Sequence, residues 1–176
     1  MKRIGLANTV TAVRVLGGLG ILALLLRDSP IVIALVGAVC LVLDGVGGRI
    51  ARARGEASPF GAWFDNEADA VVTLVLSISL VVVHVAGWWV VLIGAMRYLY
   101  LLAALVLPAL RAPLPFSQAR RVVGLGQAIL LVVAILAAGL FPGLAATGLL
   151  AVLPAIGLGA LLWSFGRDAW HQLTRQ

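Results

Sequence analysis

The chain has 176 residues, of which 62% are hydrophobic and only 11% charged, and its mean hydropathy is +1.12. A soluble domain of this length has too little interior to hide that much apolar surface, so the composition excludes a soluble globular protein and predicts an integral membrane one. The net charge of +6 reads as a topology signal with attraction for anionic lipid heads rather than as nucleic-acid binding, and the single cysteine, Cys40, excludes a disulfide framework within one chain.

Apolar runs long enough to cross a bilayer, about 20 residues each, extend from Val10 to Leu26, Ile31 to Arg52, Gly61 to Val83, Trp88 to Leu107, Val122 to Leu140 and Leu144 to Trp163. Leu, Val, Ala and Ile are continuous through them and do not alternate with polar residues as in a membrane barrel. The sequence therefore predicts an all-α polytopic membrane protein, a bundle of six transmembrane helices. The first run follows Met1-Lys2-Arg3 and is read as a retained helix, because Arg14 interrupts it and no small-residue cleavage pattern precedes Arg27. The links are short: Arg27 to Pro30, Arg54 to Phe60, His84 to Gly87, Arg111 to Ala119, and a turn around Phe141-Pro142-Gly143. None has room for a second domain, so residues 1–176 read as one transmembrane domain. With six spans, Lys2, Arg3, Arg52, Arg54, Arg111, Arg120, Arg121, Arg167 and Arg175 share a face with both termini, which predicts that this face is cytoplasmic in a cell (inner) membrane. Trp88, Trp89, Trp163 and Trp170 suit the membrane boundary.

The segment from Leu41 to Ala70 gathers five of the seven acidic residues, together with Arg49, Arg52 and Arg54 and five glycines. Ionisable residues near membrane depth are costly and face a polar cavity or a partner. Gly61, Asp65 and Asp69 follow one another by four residues and so form one stripe at the cytoplasmic start of span three. Asp44, Gly48, Ala51 and Arg52 form another on span two. The spans are antiparallel neighbours, so the stripes can face each other, which puts a candidate active site at the cytoplasmic ends of helices two and three. Two readings of Asp44, Asp65 and Asp69 are open from the residues alone. They hold a divalent cation of the oxygen-seeking kind, magnesium, manganese or calcium, or they pair with Arg49, Arg52 or Arg54. Glu67 points to a different part of the helix. Arg97 lies mid-span in GAMRYLYLL, too deep for a topology signal, and either pairs with an acidic residue across the bundle or contacts a lipid phosphate.

Asp44, Gly48, Ala51, Arg52, Gly61, Asp65 and Asp69 resemble the CDP-alcohol phosphatidyltransferase signature, D-x(2)-D-G-x(2)-A-R-x(8)-G-x(3)-D-x(3)-D, at seven of its eight defined positions. Asn8-x(2)-Thr11-x(2)-Arg14 is similar to the segment with which many members enter their first span. The resemblance implies a phosphotransferase of phospholipid biosynthesis that moves a phosphatidyl or other phosphoryl-alcohol group from a CDP-linked donor, CDP-diacylglycerol, to an alcohol, releasing CMP. It implies magnesium or manganese held by Asp44, Asp65 and Asp69, with Asp69 also the general base. It assigns Gly48, Ala51, Arg52 and Gly61, with Asn8 and Thr11, to the nucleotide and substrate surface. Arg97, Arg111, Arg120 and Arg121 are candidates for a lipid or acceptor phosphate. A homodimer is implied as well. The signature's second aspartate falls on Gly47, which has no side chain to offer a cation. This departure leaves a second expectation beside the enzyme: a catalytically impaired relative that binds nucleotide or lipid, or assembles with a partner. A small transporter fits less well, because the charges sit at one membrane face and transporter sites lie near the midplane.

Overall fold

The computed structural model describes residues 6–27, 29–55, 58–107 and 118–173. Seven α-helices make up most of these: α1 (Leu6–Leu25), α2 (Pro30–Ala53), α3 (Pro59–Val82), α4 (Val91–Val106), α5 (Gln118–Leu140), α6 (Pro142–Ala146) and α7 (Val152–Leu173). Short 3-10 turns, Trp88–Val90 and Leu149–Ala151, lead into α4 and α7. No strand occurs among the described residues, so the all-α expectation holds.

Five helices are long and apolar enough to cross a membrane, over Asn8–Leu25, Pro30–Ala51, Trp88–Val106, Arg121–Leu140 and Leu149–Trp170. The remaining predicted span, Gly61 to Val83, is not among them. Its helix, α3, carries Asp65, Glu67 and Asp69 in its first half, and its uncharged stretch begins only at Ala70. Packing accounts for how so polar a helix is accommodated. α3 lies against α1, α4, α5 and α2, with Val72, Val75, Leu76 and Leu80 in the core. The buried Ser77 and Ser79 hydroxyls donate to the carbonyls of Thr73 and Val75, each at 2.8 Å, so their polar atoms are satisfied inside the helix. A helix sheathed by its neighbours needs no lipid-compatible surface all round. The outer faces of the other helices carry that surface, and Leu16, Val42, Leu105 and Ile156 are each more than half exposed.

The described residues on either side of the turn before α3 show how that helix is presented. Gly55 ends α2 in the left-handed region, at φ +62°, the usual glycine stop. Ser58 then caps α3, its Oγ accepting from the Gly61 N–H at 3.0 Å, with Pro59 opening the helix. The last span departs from the expected Leu144 to Trp163. Pro142 starts the separate short helix α6, and Gly148, at φ +74°, breaks the chain before α7 begins. The expected turn around Phe141-Pro142-Gly143 is present between α5 and α6, whereas the apolar run after it hid the second break at Gly148. Cys40 is buried against α1, with its Sγ 3.7 Å from the Arg14 carbonyl and close to Gly17, the place of a small packing residue.

α3 and α4 touch backbone to backbone. A Cβ added at Gly94 would lie 2.2 Å from the Leu74 Cα, so only glycine permits this approach.

Candidate active site

α1 packs along both α2 and α3, and that brings Asn8, Thr11 and Arg14 over the acidic stripes. The Arg14 side chain is 1% exposed and lies beneath all three aspartates. Its Nη1 is 2.7 Å from Asp44 Oδ1 and 2.5 Å from Asp65 Oδ1, and its Nη2 is 3.4 Å from Asp69 Oδ1. Thr11 Oγ1 donates to the same Asp65 oxygen at 3.5 Å. The carboxylates themselves are 36%, 41% and 49% exposed, so they are held from below and open on the other side. The convergence expected from spacing is therefore present, and so are ion pairs, but among the described residues the pairs run to Arg14 on α1 rather than to Arg49 or Arg54.

Asn8 sits over Gly61: its Oδ1 would be 3.2 Å from a Cβ at that glycine. The small residue thus lets the start of α1 close onto the start of α3. Gly48 and Ala51 lie half-buried on the last turns of α2. Gly47 faces α1, and a Cβ there would meet Val10 Cγ1 at 3.3 Å. Arg111 and the side chains of Arg52 and Arg120 lie outside the described residues.

Two cavities flank Asp69. The larger, about 670 Å³, runs between α2 and α5 and carries Asp44, Arg49 and Arg121. Its apolar wall of Leu41, Val42 and Leu125 continues into an apolar groove along Ala38, Ile129, Val132 and Val133. The smaller, about 240 Å³, is lined by α3, α4, α5 and α7 and carries Thr73, Arg97, Gln127 and Ser164. Asn66 and Asp69 line both. Arg97 bonds Glu67, with Nε at 3.2 Å and Nη2 on the same carboxylate oxygen, the acidic partner across the bundle that one of its two readings called for. Sequence reasoning did not single out Asn66, Gln127 or Ser164, or see Arg14 as the centre of the site. The signal for Gln127 was present, a lone amide in an otherwise apolar span.

A family model described as CDP-alcohol phosphatidyltransferase matches residues 4–163. The chain belongs to this family. A search of curated proteins gave no match. The CDP-alcohol phosphatidyltransferase family is a phosphotransferase class that transfers phosphoryl-alcohol units from CDP-alcohols in phospholipid synthesis, and membership in it, with five helices long and apolar enough to cross a membrane, points to an integral membrane protein.

Phosphatidyltransferases of this family generally use divalent cations. Among the described residues no three Asp, Glu, His or Cys side chains form a ready-made metal cage, because the aspartates close onto Arg14. The donor chemistry nevertheless fits. Asp44 and Asp65 meet at one guanidinium nitrogen, so their oxygens are neighbours, and both keep an open side. An all-oxygen pair of this kind suits a magnesium-type ion, which keeps waters and takes substrate phosphate oxygens as its remaining ligands.

Proposed function

We propose that this chain is an active phosphotransferase that moves a phosphatidyl group from CDP-diacylglycerol to an alcohol and releases CMP. The observation that carries the reading is the position of Asp69, in a wall shared by two chemically different cavities. The larger combines acidic ligands, two exposed arginines and an apolar extension, which suits a nucleoside diphosphate joined to acyl chains. The smaller carries the hydroxyls of Thr73 and Ser164 and the Gln127 amide, which suits an alcohol.

In this reading Gly48, Ala51 and Arg52 receive the cytidine nucleotide, with Asn8, Thr11 and Gly61 shaping the adjoining surface. Arg49 and Arg121 draw the diphosphate inward. Asp44 and Asp65 would hold the divalent cation, magnesium or manganese, which supplies charge neutralisation at the diphosphate. Asp69 accepts the proton of the acceptor hydroxyl as its oxygen bonds to the lipid-bearing phosphorus. The bond from that phosphorus to the CMP oxygen breaks, and CMP leaves with the electron pair. Arg14 fixes the three carboxylates throughout. α3 serves as the sixth span of a single domain over residues 1–176, with both termini cytoplasmic in a cell (inner) membrane, and the reading includes the homodimer that the resemblance implies.

CMP release from CDP-diacylglycerol by purified protein, across an acceptor panel with magnesium, manganese or a chelator, tests this. Turnover should require the cation and should fall by about 10²-fold or more in Asp69→Asn. Cytidine-nucleotide binding without CMP release would overturn the reading and favour the non-catalytic relative. Gly47 against Val10 is the observation that supports that second reading, since it fills the place of an absent carboxylate with packing. Gly47→Asp alone should lower stability by about 1–3 kcal/mol through crowding of Val10. Combined with Val10→Ala it should recover stability and raise CMP release above that of Val10→Ala alone.

A further inference from the structure

The smaller cavity holds two polar groups that are left without partners among the described residues. Ser164 is 0% exposed, and among the described residues neither its Oγ nor the buried Oε1 of Gln127 has a hydrogen-bond partner. Both residues line the same cavity, with Asp69 on its wall. A buried polar atom left unpaired is costly, and two of them lining one cavity mark a place where a polar ligand completes the hydrogen bonding. The volume, about 240 Å³, lies just below the usual range for ligand pockets, roughly 300–1,000 Å³, so the ligand is small.

The charges decide its class. Among the described residues that line this cavity, the cation is Arg97, and its Nε and Nη2 both bond one oxygen of Glu67. The other ionisable group is Asp69. A phosphate arriving here meets a carboxylate and a guanidinium already matched by its own counter-ion. The larger cavity, by contrast, presents exposed Arg49 and Arg121. Anions are provided for on one side of Asp69 and hydroxyls on the other.

We infer that the smaller cavity is a subsite for a small uncharged polyol, whose second hydroxyl bonds Gln127 Oε1 and Ser164 Oγ while its reacting hydroxyl faces Asp69. This rests on the phosphotransferase reading and narrows it from an alcohol to a non-phosphorylated one with at least two hydroxyl groups. Arg97 and Glu67 act as positioning residues that hold α4 against α3 beside the cavity.

The test is CMP release from CDP-diacylglycerol by the full chain in detergent, with glycerol and inositol set against their phosphate monoesters. An uncharged polyol should be the better acceptor. Gln127→Leu and Ser164→Ala should each raise its KM about tenfold, the scale of one lost hydrogen bond, while leaving the donor KM and the thermal midpoint unchanged. Preference for a phosphorylated acceptor, or an acceptor KM that neither variant moves, would overturn the inference while leaving the phosphotransferase reading intact. Absence of CMP release with every acceptor would sink both.

Discussion

Arg14 carries a full charge at 1% exposure while the carboxylates it holds stay about half open to solvent. This geometry divides the labour, with the cation supplying structure and the anions facing whatever enters. Removing the cation leaves three like charges together, and their partial exposure keeps the cost near the lower end for a broken buried pair, about 3 kcal/mol. Arg14→Met should therefore lower the thermal midpoint in detergent and abolish CMP release, whereas Arg14→Lys should retain more of the midpoint while losing the forked contact to Asp65 and Asp69. The aspartate spacing was enough to predict convergence, because positions four apart share a helix face. The identity of their partner was not legible. Arg14 is separated from Asp44 by a whole helix and a turn, and only the crossing of α1 over α2 and α3 brings them together. Glu67 was correctly read as pointing elsewhere, and its target proved to be Arg97.

At the scale of elements, the contact of α3 with α4 allows no side chain at Gly94, whereas α5 has a glycine with open space around it. Gly94→Ala would force apart the backbones of α3 and α4, and it should destabilise the protein by about 3 kcal/mol and disturb the smaller cavity. Gly126→Ala on α5, where an added Cβ meets nothing within 4 Å, should leave stability unchanged or slightly raised. Thermal unfolding of the two variants side by side checks the contrast. Helix existence was plain from the long apolar runs, and the Gly55 to Pro59 turn follows from known capping chemistry. The turn at Pro142 was legible, but α6 was missed as a separate helix because the break after it depends on Gly148 rather than on any change in polarity. The failure of α3 to qualify as a span by composition has the opposite cause, since Asp65, Glu67 and Asp69 interrupt its first half and are held by Arg14 and Arg97 on neighbouring helices.

For the whole molecule, the basic residues at one end predict sidedness that labelling can check. Cys40 is 2% exposed and gives little background. A membrane-impermeant thiol reagent applied to intact cells should label Thr147→Cys, and should reach Arg54→Cys only after permeabilisation. The reverse pattern would invert the proposed orientation. The pairing of α1 with α3 also bears on how the chain enters a bilayer at all. A carboxylate placed in a membrane helix costs about 2.5–3.5 kcal/mol at the centre and less toward an end, and α3 brings three. Synthesis runs from the amino terminus, so Arg14 is delivered before Asp44, and both before Asp65 and Asp69. The counter-charge waits in the lipid for the acids, and the helix least fit to insert alone arrives where a partner has already been prepared.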